Sequence, residues 1–200
     1  MSWVAVSSRT AWIFLAAVLL FEGVGTGAVL LATVNFSISA VSDPMSVLTT
    51  GSRGADLWRL GSFLDMFGYL SAIPLVLYLA SRFRGEPGID FFTLAGILYL
   101  VMGALAAIIF ALAAAPLIRE YATNPSAKDS VATTFVALFR ITTFGIWQTL
   151  NGILAGTWLL GVGRLAWMRG SRVLAPVLIA FGLLLAAGVV AHITGVFPGS

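Results

Sequence analysis

The sequence contains no cysteine and a single histidine, His192. Without cysteine the chain can form no disulfide, thiolate nucleophile, iron–sulfur cluster or cysteine-ligated zinc site. One histidine cannot supply both ligands of a bis-histidine haem, and the usual nucleophile–base or metal sets of an intramembrane hydrolase are missing. These absences argue against an enzyme, and we expect no catalytic residue, no metal site and no cofactor.

Charged residues are also scarce, since they make up 10% of the 200 residues whereas 60% are hydrophobic. A soluble domain has about 25% charged and roughly 45–50% apolar residues. A water-soluble fold could not cover so much apolar surface, but a membrane protein has lipid as its solvent. The composition therefore predicts a polytopic membrane protein, with residues 1–200 forming one integral membrane domain.

Five apolar segments are long enough to cross a bilayer, which takes about 20 residues per helix. They cover residues 11–34, 58–81, 90–118, 131–163 and 173–196. Their apolar residues run continuously instead of alternating, which argues against barrel strands. The first run exceeds the roughly 7–15 residues of a signal-peptide core, so we expect an uncleaved spanning helix. The predicted fold class is all-α, a polytopic transmembrane bundle of five spanning helices.

The first loop carries the signal for a further, short helix. Ser42 or Asp43 before Pro44 predicts a helix start, and the helix would end near Gly51. We interpret it as a short interfacial helix in the first external loop, with a lid over a site as the functional alternative. The GSRGAD stretch at 51–56 predicts a break before the second spanning helix.

The net charge of +3 raises the question of a nucleic-acid partner. The arginines lie at the ends of apolar runs and not on one polar face, so we predict no such partner. Basic residues favour cytoplasmic loops, and an N-terminus inside gives the better split. Arg9, Arg82, Arg84, Arg164, Arg169 and Arg172 would then be cytoplasmic, against Arg53, Arg119 and Lys128 outside. This predicts a cytoplasmic N-terminus and an external C-terminus.

The membrane depths of the tryptophans are predicted from the preference of amphipathic rings for the membrane interface. Trp3, Trp12 and Trp167 would lie at the cytoplasmic belt and Trp58 at the outer belt. Trp147 falls inside the bilayer, where we expect core packing. A stacking platform is the alternative interpretation for its ring.

Two stretches carry a resemblance to known proteins. Residues 61–86 read GSFLDMFGYLSAIPLVLYLASRFRGE, and residues 137–188 hold a glycine-containing helix, a basic turn and a proline-initiated last helix. In this layout the chain resembles an uncharacterised family of small bacterial multi-pass membrane proteins, of the domain-of-unknown-function kind. It departs from that family at 95–105, AGILYLVMGAL, where an Arg and a Glu would be expected. The resemblance implies a bacterial inner membrane and carries over no catalytic residue.

Several polar side chains fall inside the apolar segments, where an ionisable group costs roughly 2.5–3.5 kcal/mol on insertion scales. A rise of about 1.5 Å per residue places all of them at mid-depth or in the outer half of the membrane. They therefore predict a buried polar cluster. The residues are Glu22, Arg59, Asp65, Arg140, Gln148, Asn151 and His192.

Helical spacing brings part of this set together. Arg140, Gln148 and Asn151 recur at intervals of eight and three positions, which predicts one shared face. The economical arrangement turns this face towards Asp65. Arg140 or Arg59 would then neutralise Asp65, with Glu22 as a further partner.

Small residues accompany both carboxylates. Glu22 shares its predicted face with Gly25, and Asp65 shares its face with Gly61 and Gly68. Small residues at such positions let neighbouring helices approach closely. The same packing role is predicted for the glycine pairs at 23/27 and 152/156.

Two interpretations of the buried charges stay open at this point. The structural one is an ion pair or a neutral, protonated Glu22, and the functional one is a proton or substrate relay. On the functional interpretation Glu22, Asp65, Arg140, Gln148 and Asn151 bind a ligand or ion, with Arg59 and His192 as charge partners.

The corresponding function is binding or transport of a small ligand or ion. The alternative is a non-catalytic accessory or scaffold subunit of a membrane complex. The predicted partners are the lipid bilayer and either a second copy of the chain or another membrane protein.

Overall fold

The computed structural model describes residues 7–32 and 43–194. These residues form helices and turns without a strand, and five helical spans are long and apolar enough to cross a membrane. This confirms the predicted all-α bundle of five spanning helices. The α-helices are α1 (Ser8–Ala32), α2 (Pro44–Leu48), α3 (Gly51–Arg82), α4 (Ile89–Thr123), α5 (Lys128–Phe139), α6 (Asn151–Met168) and α7 (Leu174–Ile193).

The fourth span is a composite of three helical forms. A 3-10 turn over Pro125–Ala127 leads into α5, and a π-helical stretch over Arg140–Leu150 joins α5 to α6. The Thr149 hydroxyl donates to the carbonyl of Phe144, five residues earlier, at 2.8 Å. Because a π-helix has a wider turn than an α-helix, side chains on either side of this stretch lose the α-helical register.

The second spanning helix starts earlier than predicted. Positions 51–56, predicted as a break, form the first turns of α3. Gly51 has φ of 73°, a left-handed value that glycine adopts without steric cost, so it redirects the chain out of α2. Gly54 and Ala55 are then buried, and this packing outweighs the low helix propensity of glycine.

The short helix α2 confirms the helix predicted at Pro44. The Asp43 carboxylate accepts hydrogen bonds from the backbone N–H groups of Met45 and Ser46, at 3.3 and 2.9 Å, and so caps the helix. Val47 and Leu48 are completely buried. The alternative cap, Ser42, lies outside the described residues.

The spans pack in the order α1, α3, α4, α6, α7, each against the next. Helix α4 is the central one, because 44% of its most apolar window is buried, against 11–22% in the other spans. One aromatic core around Phe110 and Phe135 lies towards the end that holds α2. A second core around Phe83 and Leu165 lies towards the opposite end. By chain position, the predicted carboxylates fall between the two cores.

Candidate functional site

The site is centred on two carboxyl side chains from different helices. Glu22 of α1 and Asp65 of α3 lie side by side and interact directly. Gly68 lies one turn beyond Asp65, and a Cβ at this position would collide with the Glu22 carboxylate. Because Gly68 has no side chain, the Glu22 carboxylate has room beside α3. The structure therefore brings together the two carboxylates that the sequence predicted.

Close backbone contact between α1 and α3 holds the pair in place. A Cβ on Gly25 would lie 3.0 Å from the Gly61 carbonyl oxygen and 3.4 Å from the Asp65 nitrogen. This confirms the small-residue stripes predicted beside the carboxylates. The prediction that Gly23 and Gly27 pack was wrong for the described part of the chain, because nothing lies within 4 Å of a Cβ at either. Gly25 follows Glu22 by three positions and shares its face, whereas those two do not.

Two tyrosines and an asparagine extend the polar cluster away from the carboxyl pair. The rings of Tyr69 (α3) and Tyr99 (α4) meet edge to face, with centroids 5.6 Å apart. Gly103 leaves the space that the Tyr69 ring fills. Asn151, at the start of α6, lies beside Tyr69 and is 3% exposed. The side-chain nitrogen and oxygen of Asn151 are both buried, and neither forms a hydrogen bond within the described residues.

A partly open cleft of about 260 Å³ adjoins the pair. Asp65 lines it together with the three aromatic residues Trp58, Tyr69 and Trp147. The remaining walls are glycines, a valine and two hydroxyl residues, and no basic side chain lines the cleft among the residues that the structure describes. Asp65 therefore belongs both to the carboxyl pair and to the surface of the cleft.

The aromatic side of the cleft is held from behind by Phe110. Its ring centroid lies 5.6 Å from that of Trp58 and 5.9 Å from that of Trp147. The Trp147 indole N–H also donates to the Gly103 carbonyl at 3.3 Å. The Trp58 indole N–H is buried and has no partner among the described residues. The two tryptophan rings are thus held by contacts within the protein.

The outer-belt position of Trp58 stays a prediction. Its side chain is only 5% exposed and packs in the core against Phe110, so the ring does not face lipid. Trp147 packs against the same core, as predicted, and it also lines the cleft. Trp12 and Trp167 are 70% and 65% exposed, which leaves their rings on the surface of the bundle. Trp3 lies outside the described residues.

The predicted arginine partners do not reach the carboxyl pair. Arg119 forms an ion pair with Asp56, and Arg169 forms one with Glu86. In residues 7–32 and 43–194 no arginine forms an ion pair with Glu22 or Asp65. The Arg59 guanidinium lies 5.8 Å from the centre of the Phe63 ring. Six positions separate Arg59 from Asp65, which puts the two on different faces of α3.

The predicted face of the fourth span was also wrong. Arg140 and Gln148 are exposed, whereas Asn151 is buried, so the three do not share a face. The cause is the π-helical stretch between Arg140 and Leu150, which changes the register that the α-helical count assumed. His192 is half-buried with its ring centroid 5.4 Å from that of Phe144.

Sequence reasoning missed the tyrosines of the cluster. Tyr69 follows Asp65 by four positions, so the face that the carboxylate predicts includes it. Tyr99 precedes Gly103 by the same interval, and a bulky residue beside a glycine marks a close contact between helices. Both signals were present, but tyrosine is common in apolar segments and carries no charge that demands an explanation.

The described residues contain no group of three or more histidine, aspartate or glutamate side chains placed to hold a metal ion. Comparison of the chain with protein-family models, with curated proteins and with solved structures gave no significant match. The resemblance to an uncharacterised bacterial family stays a prediction.

Proposed function

We propose that this chain is a small membrane carrier that binds a cation at the Glu22–Asp65 pair and exchanges it for a proton. The observation that carries the proposal is the contact of the two carboxyl side chains beside an accessible cleft. The pair belongs to α1 and α3, so movement between these helices would change the site directly.

Electrostatics explains why such a pair takes up a positive charge. Two carboxylates in contact repel each other, and the repulsion grows as the surroundings become less polar. A shared proton or a bound cation removes it. Within the described residues no basic side chain forms an ion pair with Glu22 or Asp65. The neutralising charge therefore comes from outside the chain.

A purely structural role accounts poorly for the pair. Buried polar or charged groups are often no more stabilising than apolar residues of similar size. Here a glycine at position 68 is also needed to seat the Glu22 carboxylate. Exchange of a proton for a cation at Asp65 explains the pair better than a structural role does. Asp65 belongs to the pair and also lines the cleft, so a cation in the cleft can reach it.

We place the carrier in a bacterial inner membrane with its N-terminus in the cytoplasm. Support comes from the exposed arginines at the end of the bundle where α3 joins α4 and α6 joins α7. They are Arg82, Arg84, Arg164, Arg169 and Arg172. Clusters of this kind favour the cytoplasmic side.

The accessory-subunit alternative draws on a different observation. Only 11% of the most apolar window of α1 and 17% of that of α7 are buried. Lipid can cover these surfaces, and so can a second membrane protein. Native mass spectrometry after gentle detergent extraction separates the two cases, because a defined heteromeric complex would favour the accessory subunit.

The direct test uses the purified chain in liposomes that contain a pH-sensitive dye. Pulses of Na⁺, K⁺, tetramethylammonium and benzyltrimethylammonium are added in turn, and we expect at least one of them to drive proton efflux. Glu22→Gln and Asp65→Asn should abolish the efflux, because a neutral amide cannot exchange a proton for a cation. The matched control is Asp129→Asn, which alters an exposed carboxylate at the start of α5.

Size-exclusion profiles and unfolding midpoints of the four proteins show whether each variant is folded. Efflux that persists in folded Asp65→Asn and Glu22→Gln would rule out the pair as the exchange site. No efflux with any cation in the wild type would rule out the carrier.

A further inference from the structure

We infer that the cleft beside Asp65 takes an organic monocation that carries an aromatic ring, such as an aryl-substituted ammonium ion. The inference rests on the proposed exchange of a cation for a proton, and it names the chemical class of that cation. It follows from the size of the cleft, from the chemistry of its walls and from the rigidity of its aromatic side.

The size of the cleft exceeds what an inorganic ion needs. Its volume is about 260 Å³. An apolar protein cavity of roughly 150 Å³ is enough to accept benzene. The cleft therefore has room for one aromatic ring and a compact cationic group, whereas a bare Na⁺ or K⁺ would leave most of it unfilled.

The walls are poor in the oxygen ligands that hard cations require. Hard metal cations take about six or more oxygens. Among the described residues, the side-chain oxygens that line this cleft belong to Thr26, Ser62, Asp65 and Tyr69, and Asp65 is the one carboxylate of these four. The other walls are carbon-rich. One negative charge among aromatic and aliphatic surfaces matches a monocation that has shed its water and carries apolar groups.

The aromatic residues supply the recognition that such a cation uses. A cation over the face of an aromatic ring is attracted by the ring quadrupole, and tryptophan gives the strongest interaction. Trp58 and Trp147 both line the cleft, and both rest against Phe110. Because packing already fixes these rings, binding does not have to order them.

The orientation of the ligand follows from the positions of Asp65 and the two tryptophans in the lining of the cleft. The ammonium group would lie towards Asp65 and the aromatic ring towards Trp58 and Trp147. The indole N–H of Trp58 is itself buried, so the ligand would meet carbon atoms of this ring and not its nitrogen.

The first experiment compares four probes by isothermal titration calorimetry in detergent. Benzyltrimethylammonium has the ring and the charge, tetramethylammonium only the charge, benzyl alcohol only the ring, and Na⁺ neither the ring nor the apolar groups. We expect benzyltrimethylammonium to bind at least about tenfold more tightly than each of the others. Repeating the titration in buffers of different ionisation enthalpy should show release of about one proton per ligand.

Two variants test the location of the site. Trp147→Phe should weaken benzyltrimethylammonium binding about tenfold, since phenylalanine is a poorer cation–π partner. Thr26→Phe places bulk at the rim of the cleft without altering a carboxyl group, and it should block the ligand. Trp167→Phe is the control, because Trp167 is 65% exposed and does not line the cleft. Retained affinity in folded Thr26→Phe would overturn the location.

The outcomes separate this inference from the proposed function. If Na⁺ releases the proton and benzyltrimethylammonium neither binds nor competes, the inference is wrong and cation exchange at the pair stands. If no probe releases a proton and the two carboxyl variants behave as the wild type, both are wrong. Tight binding of benzyl alcohol at the level of benzyltrimethylammonium would also overturn the inference, because the charge would then contribute nothing.

Discussion

Two helix interfaces of this bundle use the same device for different ends. At the α1–α3 interface, Gly25 and Gly61 bring the two backbones together, with a Cβ on Gly25 placed 3.0 Å from the Gly61 carbonyl oxygen. At the α6–α7 interface, Gly163 and Gly182 do the same, and a Cβ on Gly163 would lie 3.1 Å from the Ile179 nitrogen. Both interfaces therefore depend on glycines, because only a residue without a side chain lets the two backbones come so close.

What the glycines make room for differs between the two interfaces. Around Gly163 and Gly182 the atoms that a Cβ would meet belong to the backbone or to apolar chains of Leu160, Leu178 and Ile179. At Gly68 they belong to the Glu22 carboxylate. Close approach at a glycine therefore does not by itself distinguish a packing contact from a site. The chemistry of the side chain that enters the space separates a packing contact from a site.

The largest effect on stability is expected from Gly163→Leu in the α6–α7 interface. The new side chain meets backbone atoms that cannot move aside, so overpacking should cost about 1–3 kcal/mol or more. The measurement is the unfolding midpoint in detergent. The folded fraction should still bind benzyltrimethylammonium with its normal affinity, and a large loss of affinity per folded molecule would show that the two interfaces are coupled.

Gly68→Ala should have the opposite profile. The obstacle there is the end of a flexible glutamate side chain, which can swing away, so the unfolding midpoint should change little. Displacement of Glu22 from Asp65 should weaken cation binding about tenfold, which corresponds to about 1.4 kcal/mol. Gly23→Ala is the control beside Glu22, because nothing lies within 4 Å of its added Cβ. Equal binding by both variants would contradict the account of Gly68.

A smaller effect should arise at α2, which lies in neither interface. Asp43 accepts hydrogen bonds chiefly from the Ser46 hydroxyl and also from the backbone N–H groups of Ser46 and Met45, which lowers its pKa. The ionised carboxylate is thus favoured in the folded state, so this stability is present near neutral pH. It is lost as the pH falls below about 4, through the folded-state pKa.

The check on the α2 cap is a pH series of unfolding midpoints. Asp43→Ala should lose about 1 kcal/mol near neutral pH, discounted for the exposure of the site. Asp43→Asn keeps a capping side chain without a titratable group and should flatten the acid dependence. An unchanged acid slope in Asp43→Asn would assign that slope to other carboxylates.

The smallest effect is expected for Arg169→Gln near the α6–α7 turn. Arg169 pairs with Glu86 at 2.9 Å, and the two side chains are 45% and 24% exposed. Exposed pairs contribute roughly 0–1 kcal/mol, and salt reduces this further. Unfolding midpoints at low and high salt, with Glu86→Gln and the double variant, measure the coupling. Loss of cation binding in Arg169→Gln would show that this charge pair is more than structural.

Much of the fold was readable from the sequence because lipid imposes strict local requirements. The apolar runs predicted five spans, and Asp43 before Pro44 predicted α2. The start of α3 was missed because tertiary burial of Gly54 and Ala55 decides it. The π-helical stretch was missed as well, since no local pattern in RITTFGIWQTL marks a change of helical register.

The site was partly predictable for a related reason. Glu22 and Asp65 were identified because a carboxylate in an apolar segment demands compensation, and the structure places them together. Arg140 and Gln148 were assigned to the same cluster by an α-helical count that the π-helical stretch invalidates. Tyr69 and Tyr99 were overlooked because uncharged aromatic residues raise no comparable demand.

The sequence by itself therefore determined the class of the protein, the number of its spans and the two carboxylates that need an explanation. These follow from transfer free energies, which act on each residue separately. Only the tertiary structure decided that Gly68 seats Glu22, that the basic side chains stay away from the pair, and that Trp58 and Trp147 wall a cleft beside Asp65. Those features depend on helix register and on close contact between distant segments, which no single segment encodes.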